Sequence, residues 1–223
     1  MTPRRTLIQS FPTTVGLLVL IGAAFLLEEA AGGSQRVPVL IGLGANYPPL
    51  VIQEGEWWRL LTSTLLHIGL LHLLVNSWAL WQLGRLSEIT FGSALTLFLF
   101  VFTGLTGSGL TLIQEKVSAG ASGALFGLEG ALVAFFLRHR ERLTPAGKQI
   151  LGQLLVWSAG MMVFSFAVPG IDWLGHLGGF LGGLSVGWIL PPAPKRGGWT
   201  RGLAAVAFGL IVVAVWMAAR PFF

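Results

Sequence analysis

The stretch GASGALFGLEGALVAFFL, residues 120–137, decides the fold class of this chain. Apart from Ser122 and Glu129 it is apolar, and it is long enough for a helix to cross a bilayer. A second apolar stretch begins with GHLGG, residues 175–179, and places His176 among glycines in the same way. A serine and a histidine each need a hydrogen-bond partner in hydrocarbon, so the pair has either a structural or a catalytic reason to be there.

Composition places the whole chain in a membrane. Of its 223 residues, 54% are hydrophobic and 10% are charged, against about 25% charged residues in ordinary soluble domains. Cysteine is absent, which excludes disulfides and thiolate metal sites. The net charge of +5 would favour nucleic acid as a partner of a soluble chain, but the basic residues lie in short loops between apolar segments. We therefore expect an integral membrane protein that contacts lipid and does not bind nucleic acid.

Seven apolar segments are long enough, or nearly so, to cross the bilayer as helices. They cover residues 13–27, 60–83, 92–113, 120–137, 150–168, 173–190 and 202–219. The first segment also resembles a signal peptide, but Glu28 and Glu29 at its end are a poor cleavage context and favour a retained helix. In the long connection that follows, the pair Trp57 and Trp58 predicts a segment lying at the membrane interface.

The distribution of basic residues predicts the orientation. If the N-terminus is cytoplasmic, ten of the fourteen basic residues face the cytoplasm, as the positive-inside rule requires. The outer face then receives Arg36, Arg59, Lys116 and Arg220. Seven crossings place the C-terminus outside, and we expect the membrane to be the bacterial cytoplasmic (inner) membrane.

The unusual polar residues of this topology share one depth. The second, fourth and sixth segments all enter from the outer face, and each has its polar groups in the half nearest that entry: His67, His72 and Asn76, then Ser122, then His176. Polar residues that had no common role would not be expected to lie at the same depth in three separate segments. A water-filled cavity open to the outer face would give all of these groups partners.

The glycines around these residues allow a structural reading as well. Gly123 and Gly127 beside Ser122 have the four-residue spacing of a close helix-packing face, and Gly179 and Gly183 repeat it in the sixth segment. Close packing does not compete with catalysis, because it would bring the serine and the histidine towards hydrogen-bond distance. A lone histidine is more often structural, but the pairing favours catalysis.

The remaining polar groups suggest supporting roles. His72 and Asn76 are four residues apart, share one helix face and can donate hydrogen bonds to an oxyanion. The histidines supply too few ligands for a metal site, so no metal or cofactor is expected. His67 points elsewhere on a regular helix, which favours structural hydrogen bonding towards the first loop. Glu129 lies about 10 Å deeper than Ser122 on the same face, as part of a proton path or as a buried carboxyl bonded to a neighbouring helix.

Taken together, these residues resemble the rhomboid family of intramembrane serine proteases. The resemblance implies that Ser122 is the nucleophile and His176 the general base, with no acidic third member. It also implies an oxyanion site formed by His72, Asn76 and the backbone amide of Ser122. The matching residues are Trp58, Arg59, His67, His72, Asn76, Gly120, Ser122, Gly123, His176, Gly179 and Gly183.

The resemblance further implies an all-α membrane protein with a six-helix core in residues 1–192, a membrane-embedded first loop and an additional C-terminal helix in residues 193–223. Phe126 stands where the family usually has a tyrosine stacked on the catalytic imidazole, and Gly120, Gly123 and Gly179 support the site. Glu88, placed in the loop after the second helix, matches a position of structural hydrogen bonding. The implied substrates are transmembrane segments of single-pass proteins, cut near the outer face.

Two other classes of protein remain open. A catalytically silent relative would bind transmembrane segments without cutting them, although such relatives generally lack the serine or the histidine that this chain retains. A transporter or channel could also line a cavity with such side chains. It would more naturally show inverted repeats and broken helices near the midplane, and neither is visible in the sequence.

Overall fold

The computed structural model describes Thr6, residues 10–190 and residues 198–220. This described part of the chain is helical, with no β-strand and one isolated bridge between Asn46 and Ser118. Its α-helices are α1 (Pro12–Ala30), α2 (Val37–Gly42), α3 (Pro48–Ile52), α4 (Arg59–Thr62), α5 (Leu70–Phe91), α6 (Ser93–Thr111), α7 (Ser122–Arg138), α8 (Pro145–Ala167), α9 (Trp173–Ile189) and α10 (Gly198–Ala219).

The chain is a multi-pass integral membrane protein. Within the described residues, α1, α6, α8 and α10 are each long and apolar enough to cross a membrane. The other three long helices, α5, α7 and α9, contain the candidate site residues, and two of them are only 17 residues long. The expected domain boundary at 192/193 and the basic residues Arg4, Arg5, Lys195 and Arg196 lie outside the described residues.

Helix α7 is the centre of the bundle. Every residue from Ala124 to Phe136 is buried, so this helix is enclosed on all sides. Helices α5, α6, α8 and α9 pack around it, while α1 packs against α5 and α6, and α10 packs against α6 and the short α4. The serine-bearing stretch of the sequence is therefore the core helix around which the others assemble.

Helices α7 and α9 approach so closely that only glycine fits between them. A Cβ atom on Gly179 would lie 1.9 Å from the carbonyl oxygen of Gly123, and one on Gly183 would lie 1.9 Å from that of Gly127. Both contacts are with backbone atoms, which cannot move away by a change of rotamer as a side chain can. The packing face predicted from the glycine spacing is confirmed.

The predicted boundaries of the second helix are wrong. Residues 60–83 were expected to form it, but α5 begins at Leu70, because Gly69 has a φ of 81° that ends the preceding loop and lies outside the helical region. The helix then continues to Phe91, so Glu88 lies within it and not in a loop. The Glu88 carboxylate accepts hydrogen bonds from Thr13 and Thr14 at the start of α1. It thus satisfies free N–H groups of that helix.

The first loop is folded by side-chain bonds to backbone oxygens. The buried Arg59 guanidinium donates to the carbonyl oxygens of Ile41 and Ala45 at 2.6 and 3.2 Å, and Thr62 Oγ1 donates to that of Gly44 at 2.7 Å. Trp57 is exposed. These bonds hold α4 against the end of α2 and the residues that follow it, and Trp57 presents an indole on the surface of the loop. The position of this segment at the membrane interface stays a prediction.

Candidate active site

The candidate site is built from the beginnings of three helices. His72 lies in the first turn of α5, Ser122 is the first residue of α7, and His176 lies in the first turn of α9. These residues come together in space at one end of the bundle, whereas their depth in the membrane stays a prediction.

Ser122 and His176 form a hydrogen-bonded pair. The distance between Ser122 Oγ and His176 Nε2 is 2.7 Å. The imidazole is 6% exposed, and the ring of Phe126 stacks on it with the ring centroids 4.4 Å apart and the planes inclined by 19°. The stacking restricts rotation of the imidazole, while the hydrogen bond joins a potential nucleophile to a potential general base.

The other ring nitrogen of His176 also has a partner. Ser165, near the C-terminal end of α8, places its Oγ 2.7 Å from His176 Nδ1. The imidazole is thus held at both nitrogens by serine hydroxyls from two different helices. Sequence reasoning missed Ser165, because only the segments entering from the outer face were searched. A serine near the end of a helix that runs the opposite way reaches the same depth, and that was the available signal.

Asp172 holds the start of α9 and does not bond to the imidazole. Its carboxylate accepts hydrogen bonds from the Gly175 amide at 3.0 Å, Thr111 Oγ1 at 2.6 Å and Ser118 Oγ at 2.6 Å. As the N-cap of α9 it satisfies a free N–H group there. It also ties that helix to the end of α6 and to the loop before Ser122. Its role in this geometry is to fix the elements that carry the pair.

Gly120 lies beside both His72 and Ser122. Its φ of 142° favours glycine, and its amide donates to the Ser63 carbonyl oxygen at 2.9 Å. A Cβ atom there would lie 2.9 Å from His72 Nε2 and 3.7 Å from Ser122 Oγ. The imidazole of His72 and the hydroxyl of Ser122 therefore border the same small volume.

The hydrogen bonds of His72 identify its tautomer. The backbone N–H of Ile68 donates to His72 Nδ1 at 3.3 Å, so this nitrogen is an acceptor and the proton of the neutral ring is on Nε2. That N–H is the one beside Gly120. The ring of His67 packs against that of His72 with the centroids 5.3 Å apart, and the His67 amide donates to the Glu28 carboxylate. The His67 side chain itself contacts the first loop, since its Nδ1 lies 3.2 Å from the Leu65 carbonyl oxygen, in agreement with the structural role expected of it.

Asn76 lies one turn further along α5. Its Nδ2 donates to the His72 carbonyl oxygen at 2.9 Å, which leaves a second N–H on the amide. Among the described residues, no hydrogen bond joins Asn76 to Ser122 or His176. The Ser122 amide is in the first turn of α7, where N–H groups have no acceptor within the helix.

Most of the chain matches a known protein family. Residues 54–193, well over half of the chain, match the Rhomboid domain. The chain belongs to the rhomboid family. The matched range of this rhomboid protein includes His72, Asn76, Ser122 and His176, whereas α10 lies beyond it.

Several curated rhomboid proteins are similar to the chain. It is 39% identical over 193 residues to Rhomboid protease GluP of Bacillus subtilis (strain 168), a match that spans 86% of this chain and 37% of GluP. It is 37% identical over 169 residues to RHOMBOID-like protein 5 of Arabidopsis thaliana, spanning 72% of this chain and 52% of that protein. The chain thus spans about half or less of these relatives. A match to the rhomboid protein YdcA of the same Bacillus strain, 33% identical over 195 residues, spans 86% of this chain and 95% of YdcA.

Glu129 lies deeper in this rhomboid chain than the pair. It is buried, and its carboxyl group interacts with Ser158 on α8. This environment agrees with the reading of a buried carboxyl beside a neighbouring helix, whereas a proton path through Glu129 stays a prediction.

Proposed function

We propose that this chain is an intramembrane serine endopeptidase in which Ser122 and His176 form a catalytic dyad. The observation that carries the proposal is the 2.7 Å distance between Ser122 Oγ and His176 Nε2, with the imidazole held by Phe126 and Ser165. Membership of the rhomboid family supports it, since GluP is named as a protease.

Acylation follows from this hydrogen bond. His176 Nε2 accepts the proton of Ser122 as Oγ attacks the carbonyl carbon of a substrate peptide bond, and a tetrahedral intermediate forms. His176 then transfers this proton to the leaving amine, the C–N bond breaks, and the substrate's acyl group remains as an ester on Ser122. A dyad suffices here, because other contacts hold the imidazole in place.

The negative charge on the tetrahedral oxygen requires donors that are already in position. His72 Nε2–H borders the volume next to Ser122 Oγ, and the Ser122 amide and the second N–H of Asn76 complete the proposed set. Loss of one such donor typically costs about 2.7–4 kcal/mol of transition-state stabilisation. These groups bind most strongly when charge develops, so they act on turnover more than on substrate binding.

Deacylation needs water at the ester. Ser122 and His72 are only partly buried, whereas His176 is almost fully buried. Water can therefore reach the ester carbon from the end of the bundle where the helices begin. His176 then takes a proton from that water and returns it to Ser122 Oγ, which frees the acid product.

The proposed topology has a cytoplasmic N-terminus in a bacterial cytoplasmic membrane. The six helices α1 and α5–α9 form the rhomboid core, to residue 192, and α10 adds a seventh crossing. The support is the excess of basic residues in the loops assigned to the cytoplasm. This orientation places the dyad near the outer face.

The proposed substrates are single-pass membrane proteins. The backbone of a transmembrane helix is fully hydrogen-bonded, so a substrate must offer a locally unwound stretch to Ser122. Glycine, proline or other weak helix formers near the membrane surface favour such unwinding. We expect cleavage in the outer part of the substrate's transmembrane segment, at small side chains.

The test is cleavage of a single-pass model substrate by the purified protein in vesicles. Ser122→Ala and His176→Ala should each abolish cleavage, while Ser185→Ala should leave it unchanged, because Ser185 is exposed on α9 and, within the described part of the chain, bonds only to Leu181 of its own helix. Cleavage at the wild-type rate by either of the first two variants would remove the dyad. Capture of the substrate by a wild-type protein that never cuts it would instead indicate a silent binding protein.

A further inference from the structure

We propose that Ser165 is a positioning residue that selects the tautomer of His176, holding its proton on Nδ1 so that Nε2 is free to accept the proton of Ser122. The inference rests on the proposed dyad, and it adds a residue from a third helix to that site. The imidazole of His176 lies between Ser165 and the reacting oxygen of Ser122.

The hydroxyl of Ser165 has two close neighbours. Its Oγ lies 2.6 Å from the backbone carbonyl oxygen of Met161, one turn earlier in α8, and 2.7 Å from His176 Nδ1. The residue is 1% exposed, so water does not compete for these contacts. Both distances are in the range of good hydrogen bonds.

A count of protons decides the direction of the two bonds. The Ser165 hydroxyl has one hydrogen, and a carbonyl oxygen can only accept. If that hydrogen points to Met161, Ser165 Oγ is free to accept from Nδ1–H, and both contacts are satisfied. If it points to Nδ1 instead, the Ser165 and Met161 oxygens face each other at 2.6 Å with no hydrogen between them. The first arrangement is therefore favoured.

The position of the proton on Nδ1 determines what Nε2 of His176 can do. A neutral imidazole with its proton on Nδ1 has a lone pair on Nε2, and Nε2 is the atom 2.7 Å from Ser122 Oγ. The opposite tautomer would point an N–H at the serine and could not accept its proton. His72 has the opposite tautomer, since Ile68 donates to its Nδ1. The two histidines are thus set differently, one as an acceptor and one as a donor.

A second serine on the same helix provides a control for a purely structural role of Ser165. Ser158, two turns earlier in α8, is also buried and bonds in the same way to the carbonyl oxygen of Leu154 at 2.8 Å. Its contact is with Glu129 and not with the imidazole. If the bond to the preceding turn were all that matters, alanine substitutions at the two serines would have similar effects.

The direct test is the protonation of the His176 ring nitrogens, measured by ¹⁵N NMR. The chain has four histidines, so selective ¹⁵N-histidine labelling gives a simple spectrum in which His176→Ala identifies the signals of His176. We expect a protonated Nδ1 and an unprotonated Nε2 at a pH where the ring is neutral. Ser165→Ala should shift the population towards the Nε2–H tautomer, and Ser158→Ala should not. A wild-type ring protonated on Nε2 would overturn the inference, even in an active enzyme.

Kinetics provide an independent readout. Ser165→Ala should lower kcat about tenfold, the factor that corresponds to one neutral hydrogen bond, with KM unchanged. Ser158→Ala should keep kcat within about twofold of wild type. Equal losses in the two variants would assign Ser165 a structural role only. A wild-type protein with the expected tautomer but no proteolytic activity would contradict the proposed function and leave the role of Ser165 in setting the tautomer intact.

Discussion

Replacement of Gly179 by alanine should separate the two helices that carry the dyad. The added methyl carbon would lie 1.9 Å from the Gly123 carbonyl oxygen and 2.7 Å from its carbonyl carbon. Carbon–oxygen contacts settle at about 3.3–3.6 Å, so α9 must move away from α7 by more than ~1 Å at this point. Because the obstructing atoms are backbone, a change of rotamer cannot relieve the contact.

The displacement acts directly on the dyad. Gly179 lies one turn after His176, and Gly123 is next to Ser122, so the 2.7 Å hydrogen bond must lengthen when the helices separate. A misplacement of about 1 Å can lower a catalytic rate on the order of a hundredfold. Overpacking of this kind also destabilises a protein by about 1–3 kcal/mol. We therefore expect Gly179→Ala to lower kcat about a hundredfold and to lower Tm.

The assay is cleavage of the model substrate together with thermal unfolding followed by circular dichroism in the same detergent. Gly160→Ala is the matched control, because a Cβ atom on Gly160 in α8 meets nothing within 4 Å. That variant should keep wild-type kcat, with an equal or higher Tm, since alanine favours a helix over glycine. Wild-type kcat and Tm in Gly179→Ala would refute the link between the glycine packing and the site.

Two further predictions test the oxyanion donors and the orientation. Replacing His72 or Asn76 by alanine should lower kcat more than it raises KM and leave partial activity, because the other donors remain; unchanged kcat with a raised KM would point to substrate holding. Since the native chain has no cysteine, single cysteines introduced at residues 115–119 should react with a membrane-impermeant reagent only from the outer face of oriented vesicles, and cysteines at His139 or Arg140 only from the cytoplasmic face. Labelling of both regions from one side would overturn the topology.

The meeting of Ser122 and His176 could be predicted from the sequence, because the signals were local. Glycines at four-residue spacing on two apolar segments predict close packing of those helices, with Ser122 next to Gly123 and His176 one turn before Gly179. The predicted depth of these residues rests on counting helix crossings. The structure brings the two side chains together at 2.7 Å, in agreement with this reasoning.

The start of α5 could not be placed in this way. Four of the eight residues from Leu60 to His67 are leucines, and periodicity does not separate a buried loop from a helix. The loop ends at the positive φ of Gly69. Glycine allows this conformation, but the presence of a glycine does not predict that it is adopted. For the same reason the folded loop around Arg59, with its bonds to Ile41 and Ala45, was visible only as a long connection.

Ser165 and Glu88 were difficult for a different reason. Each acts through a partner more than ten residues away, His176 in one case and the start of α1 in the other. The identity of a distant partner depends on which helices are neighbours in the bundle. Hydropathy and spacing predict the depth of a residue, but they identify its neighbouring helix only where both segments show a packing pattern, as the glycines of α7 and α9 do.

Covalent capture of the nucleophile tests the central claim most directly. The purified protein should react with a fluorophosphonate, a reagent that forms a phosphonyl ester with an activated serine hydroxyl, and mass spectrometry of its peptides should place the adduct on Ser122. His176→Ala, with the base removed, should react far more slowly, and Ser122→Ala should not react at this site. An adduct confined to another serine, or equal labelling of the wild-type protein and His176→Ala, would contradict the proposed dyad.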